Sequence, residues 1–88
     1  MISLSIVIPC LNEGESLKFC LKKIKKILKK VKFTFSEVIV VDNGSTDESI
    51  KIANKYNARV VFEKKKGYGN ALKRGIKMSK GEFVCFAD

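Results

Sequence analysis

EVIVVDNGSTDES, residues 37–49, can be read in two ways, and the choice decides the fold. Asn43-Gly44 after an apolar run is a strong signal of a tight β-hairpin, which would pair two antiparallel strands. The residues that follow argue against it. Ser45 and Glu48 have the S-x-x-E spacing of a capping box, and Ile50, Ala53 and Tyr56 continue at helical spacing. A strand, Glu37–Asp42, therefore hands over to a helix. That strand is almost wholly apolar, as a sheet covered on both faces requires.

The same alternation extends in both directions. Upstream, LSIVIP (Leu4–Pro9) is a β-branched run closed by proline, the pattern of a buried strand. Asn12 is placed to cap the next helix, with Glu15 as its capping partner. In that helix Leu17, Cys20, Leu21, Ile24, Ile27, Leu28 and Val31 form one apolar stripe, with Lys18, Lys22, Lys25 and Lys29 opposite. Downstream, Ala58–Glu63 reads as a third strand, KKKGYGN as a basic glycine loop and ALKRGIKMS as a helix. Gly81 is expected to end that helix as a left-handed cap, and Glu82–Ala87 reads as a fourth, buried strand. The order βαβαβαβ implies an α/β fold, a Rossmann-like parallel sheet with flanking helices and right-handed crossovers. Parallel strands end on one edge, so Pro9–Asn12, Asp42–Ser45, Lys64–Gly69 and Asp88 should meet there.

Composition bounds what that edge can belong to. Residues 1–88 make one small domain, with no repeat and no linker, that buries only about 60–65% of its unfolded surface. Eighteen Lys+Arg against nine Asp+Glu give a net charge of +9, which favours anionic partners. Eight lysines lie between Lys18 and Lys32, a run that usually marks a solvated helix face. Phe19 is the lone aromatic of that helix, too few for the stacking platforms of single-strand binders, so no nucleic-acid partner is expected. Cys10, Cys20 and Cys85 are odd in number and accompanied by no histidine, which argues against a metal cluster and suits a reducing cytosol. The N-terminus lacks the basic region of a signal peptide, and no stretch approaches the ~20 apolar residues of a membrane span. A cytoplasmic protein is expected.

At the edge, Asp42 can accept a hydrogen bond from a ligand N–H or hydroxyl, or can simply cap the turn with Ser45. Gly67 and Gly69 begin a G-x-G-x-x-G pattern that Leu72 breaks, so a dinucleotide fingerprint is absent. A basic, glycine-rich loop opening a helix suits phosphate, and equally suits a solvated surface loop. Asp88 alone is a poor divalent-cation site; such sites use one or two carboxylates together with substrate phosphates.

SIVIPCLNEGESL, EVIVVDNGSTDES and GYGNALKRGIKMSKGEFVCFAD, in this order, resemble the N-terminal half of family 2 glycosyltransferases, which have the GT-A fold. The PCLNE and GYGNAL segments are most similar to the polyprenol-phosphate sugar transferases, such as dolichyl-phosphate mannose synthase. The resemblance implies transfer of a sugar from a UDP- or GDP-sugar to an acceptor, a polyprenol phosphate or a glycan. It implies that Pro9, Leu11 and Glu13 line the nucleoside and that Asp42 hydrogen-bonds the base. Lys73 would face the diphosphate, and Asp88 would be the first Asp of a D-x-D motif holding Mg²⁺ or Mn²⁺. Asn43 stands where many relatives carry a second acidic residue, and Leu11 where many carry an aromatic. The motif's last Asp and the general base would lie beyond residue 88. The chain is thus expected to be a truncated, nucleotide-sugar-binding part, inactive alone, with the membrane surface as a further setting in the polyprenol subgroup. A second polypeptide carrying the missing half is an alternative, as is a non-catalytic remnant; a basic nucleic-acid or anionic-lipid binding module using the lysine face of residues 18–32 is the least favoured alternative.

Overall fold

The computed structural model describes residues 2–87. Its elements are β1 (Ser3–Cys10), α1 (Gly14–Lys30), β2 (Phe35–Asp42), α2 (Ser49–Lys55), β3 (Arg59–Phe62), α3 (Tyr68–Met78) and β4 (Phe83–Phe86). The four strands form one parallel sheet in the order β3-β2-β1-β4. The α/β alternation read from the sequence is therefore the architecture observed.

Side chains alternate across the strands, so the sheet feeds two cores. On one face Ile8, Cys10, Val38 and Val40 pack against Leu17, Leu21 and Ile24 of α1 and Ala53 of α2. On the other face Val7, Ile39, Val41 and Val61 pack against Ala71 of α3. Here α3 lies so close that a Cβ on Gly75 would collide with the Val7 side chain and come within 3.2 Å of Val41 Cγ2. Only glycine allows that approach.

Several local expectations are corrected. Asn12 does not cap α1. The N-cap is Glu13, without a side-chain bond, and Asn12 adopts a left-handed φ of 50° with its amide turned to the next loop. The Ser45–Glu48 box does not form either, because α2 begins only at Ser49 and Asp47 caps it, accepting the Ser49 amide at 2.9 Å. Gly81 is not a left-handed cap. It is glycine because a Cβ would sit 2.7 Å from the Leu4 carbonyl carbon and the Ser5 nitrogen, and its amide donates to Ser5 Oγ at 2.9 Å.

The apolar stripe of α1 is narrower than expected. Ile27 is 58% exposed, and Val31, the C-cap residue, is 47% exposed. Nor is β4 buried: it takes the sheet edge beside β1, leaving Phe83 and Phe86 about half exposed.

Candidate functional site

Strand order places β2 and β3 on one side of β1 and β4 on the other. The C-terminal end of β1 is thus a topological switch point, the place where open α/β sheets bind ligands. Three loops converge at this edge, and each is hydrogen-bonded to a neighbouring loop.

The loops after β1 and β2 exchange caps. Asn12 Oδ1 accepts the amides of Thr46 at 2.8 Å and Asp47 at 3.2 Å, while the Asn12 amide donates to Ser45 Oγ at 2.9 Å. Asp47 Oδ2 in turn accepts the Gly14 amide, the first of α1, at 3.2 Å. The Ser49 hydroxyl first, then the Ser49 amide, hold the Asp47 carboxyl below the usual carboxylate range, against a smaller desolvation effect. Register allows this exchange: Cys10 pairs with Asp42, so both loops leave the sheet side by side.

Asp42 is 2% exposed, and its Oδ2 accepts the amides of Gly44 at 3.1 Å and Ser45 at 2.8 Å. This is the turn-capping alternative of the sequence reading. Oδ1 is buried without a hydrogen-bond partner. Gly44 takes a φ of 108°, which disfavours any side chain, and a Cβ there would meet Lys66 Nζ at 2.7 Å.

Asn43 ties this turn to the basic loop. Its Nδ2 donates to the carbonyls of Glu63 at 2.8 Å and Lys65 at 2.9 Å, and its Oδ1 accepts the Gly67 amide at 3.0 Å. Lys66 Nζ closes the arrangement by donating to the Asn43 carbonyl at 2.9 Å. KKKG is therefore not free loop, and Lys66 already has a partner.

The result is an open cleft of about 320 Å³. Pro9 lines it from the end of β1, Leu11 and Glu13 from the loop after it, Asn43 from the β2 turn, and Gly67 and Tyr68 from the start of α3. Of the expected site residues, the cleft brings together Pro9, Leu11 and Glu13. Asp42 lies beneath the turn and Lys73 is exposed on α3; neither lines the cleft. Asp88 lies outside the described residues. Asn43 and Tyr68 were missed. Asn43 was read as part of an Asn-Gly turn at this edge and as a departure from an acidic pattern, but not as a site residue, because its partners lie 20 to 24 residues away. Tyr68 was read as part of the basic glycine loop, a segment already expected at this edge, but was not named as a site residue.

Among the described residues no group of three or more His, Cys, Asp or Glu could hold a metal ion. Glu13 is the one carboxylate lining the cleft, so the described residues alone do not make a metal centre. None of the described helices is long and apolar enough to cross a membrane.

Comparison with known proteins agrees with this geometry. A dolichyl-phosphate beta-glucosyltransferase of Homo sapiens is 38% identical over 98 residues, covering 97% of this chain and 30% of its own length. An uncharacterized glycosyltransferase of Mycobacterium tuberculosis is 35% identical over 86 residues, covering 98% of this chain and 36% of its own. Among solved structures, glucosyl-3-phosphoglycerate synthase from M. tuberculosis, in complex with Mn²⁺, UDP and glucosyl-3-phosphoglycerate, superposes with a TM-score of 0.84. It is 32% identical and covers 99% of this chain and 33% of its own. The same enzyme has also been solved with Mg²⁺ and UDP. The chain thus spans about a third of the length of these relatives. The model of glycosyl transferase family 2 matches residues 5–88, so all three loops of the cleft fall within it, and the chain belongs to that family.

Proposed function

We propose that this chain is the donor-binding part of a glycosyltransferase that passes a sugar from a nucleoside diphosphate to an acceptor. The observation that carries the reading is the cleft at the switch point, formed by the loop after β1 together with Asn43 and the start of α3. Pro9, Leu11 and Tyr68 give it apolar walls suited to a base, and Glu13 gives it an acceptor for an N–H or a ribose hydroxyl. UDP is the favoured nucleotide over GDP, since the solved relatives described above hold UDP. In this reading Asp42 acts by holding the turn that presents Asn43.

Lys73, exposed on α3, and Asp88 belong to the diphosphate end of the proposal. Lys73 would attract the phosphates and stabilise the negative charge that grows on the departing nucleoside diphosphate. A Mg²⁺ or Mn²⁺ held by Asp88 and the donor phosphates would supply further Lewis-acid stabilisation. The acceptor would be a polyprenol phosphate or a glycan, and the general base would be supplied from outside the three loops that form this cleft. The exposed outer edge of β4, with Phe83 and Phe86, favours the place where that protein is added, since bare sheet edges are normally covered.

The test is titration of the ¹⁵N-labelled chain with UDP and with GDP. Amide shifts should move at Leu11, Glu13, Asn43, Gly67 and Tyr68, more for UDP, with no sugar transfer by the chain alone. Unchanged spectra at millimolar UDP would remove the reading.

A further inference from the structure

The outer face of α1 lies away from the cleft's chemistry and is unusual in what it exposes. Seven of the helix's seventeen residues are lysine, and Glu15 is its one acid. Basic charge alone would mark a solvated face. Here it is interleaved with large apolar groups that the fold leaves uncovered. Phe19 is 63% exposed, Ile27 58% and Val31 47%, and with Lys23 they recur at a spacing of four. On α1 that spacing sets Phe19, Lys23 and Ile27 toward one side, and Val31 follows as the C-cap residue. Lys23 Nζ lies 4.6 Å from the centre of the Phe19 ring. On the α2 side of Phe19 an open groove of about 690 Å³ runs between Lys22, Lys26 and Lys29 of α1 and Lys55 of α2.

We propose that this face docks on an anionic lipid bilayer, with the lysines at the headgroups and Phe19 and Ile27 entering the acyl boundary. Two independent features select this occupant. The charge complements an anionic surface, and lysines near such a surface attract it individually. The exposed phenyl and aliphatic groups gain from an apolar boundary and gain little from a solvated phosphate backbone, which sets a bilayer above a nucleic acid. Long lysine side chains can reach the headgroups while an apolar ridge enters below them. α1 starts at Gly14, immediately after the cleft residue Glu13, so the proposed docking face and the cleft belong to adjoining segments. The inference does not depend on the nucleotide reading.

The chain contains no tryptophan, so Phe19→Trp introduces a single reporter on the docking face. The experiment is sedimentation and fluorescence of this variant, and sedimentation of the unsubstituted chain, with phosphatidylcholine vesicles lacking or containing phosphatidylserine. The expected result is binding to the anionic vesicles only, weakened by salt, with a blue shift of the indole emission that brominated lipid quenches. Each of Lys23→Gln and Lys26→Gln should weaken binding about fivefold. Phe19→Ser should weaken it about tenfold. All these positions are exposed, and unchanged circular dichroism would verify the fold of each variant. Absence of binding to anionic vesicles at low salt overturns the proposal. Binding that follows charge, but with no blue shift and no loss in Phe19→Ser, overturns it as well, as does stronger binding to an oligonucleotide than to the vesicles.

Discussion

Replacing Asn43 by alanine should release the basic loop from the end of β2. The side chain is 6% exposed and makes three hydrogen bonds, to the Glu63 and Lys65 carbonyls and from the Gly67 amide. A typical intramolecular bond contributes about 1 kcal/mol net, so the three amount to about 3 kcal/mol. Lys65 and Gly67 are exposed, so water can satisfy part of what alanine leaves open. The expected loss of stability is therefore about 2 kcal/mol, or about 1–2 M in the urea midpoint at the slopes usual for a small domain. Asn43→Asp separates geometry from volume. It keeps the acceptor for Gly67 but sets an oxygen against two carbonyl oxygens, so it should cost at least as much while the loop holds this shape. Amide exchange supplies the local readout: the Gly67 amide should lose protection in both variants, and amides of β1 should lose it only in proportion to global stability. A stability within about 0.5 kcal/mol of the parent and an unchanged Gly67 amide would refute the idea that Asn43 holds the loop.

Gly75→Ala should destabilise by about 2 kcal/mol or more, because its Cβ would overlap Val7, whereas Gly69→Ala, with nothing within 4 Å, should be neutral or slightly stabilising; paired thermal melts decide. Burial tends to raise the Glu37 carboxyl, but the Ser5 hydroxyl, the Lys80 amide and Arg59 together outweigh it, leaving the group below its ordinary value of 4.5. A depressed carboxyl contributes stability that is present above the unfolded value and lost as pH falls through the folded one. The fall in stability below about pH 4.5 should thus be shallower in Glu37→Gln than in the parent, as acid-titrated urea melts would measure. Asp47→Ala removes the cap of α2 and the partner of the Gly14 amide, and should lower the urea midpoint more than Ser45→Ala does.

The order of elements was legible because hydrophobic periodicity is local: apolar runs of strand length alternate with three-four spacing, and a parallel sheet follows. What could not be read depends on partners distant in sequence. Asn12 and Ser45 both occupy plausible capping positions for the helices that follow them, and both serve the opposite loop instead, because β1 and β2 are adjacent and end in register. Gly81 has the composition of a helix stop, but its reason is the backbone of β1, 76 residues earlier in the bond it makes to Ser5. Ile27 and Val31 fit the apolar stripe by spacing, yet whether a shoulder of a helix is covered depends on what lies beside it. The cleft was legible as a place, through Pro9, Leu11 and Glu13. Its floor was not, since Asn43 is defined by three bonds to a loop that spacing rules do not connect to it.

These long-range bonds also bear on how the edge binds a ligand. The β1 loop is held by the β2 turn, the β2 turn by Asp42 from below, and the β3 loop by Asn43. Three of the four segments at the C-terminal edge are thus set by the chain itself, and a nucleotide entering there would order little backbone on binding. The fourth segment follows β4, whose exposed edge is the least covered part of the sheet. In the proposed reading, base recognition would require only groups already fixed by this fold, whereas the diphosphate end would depend on how β4 is covered. Protein added along β4 should then tighten binding of a nucleoside diphosphate much more than binding of the nucleoside alone, and equal gains for both would contradict this division of the site.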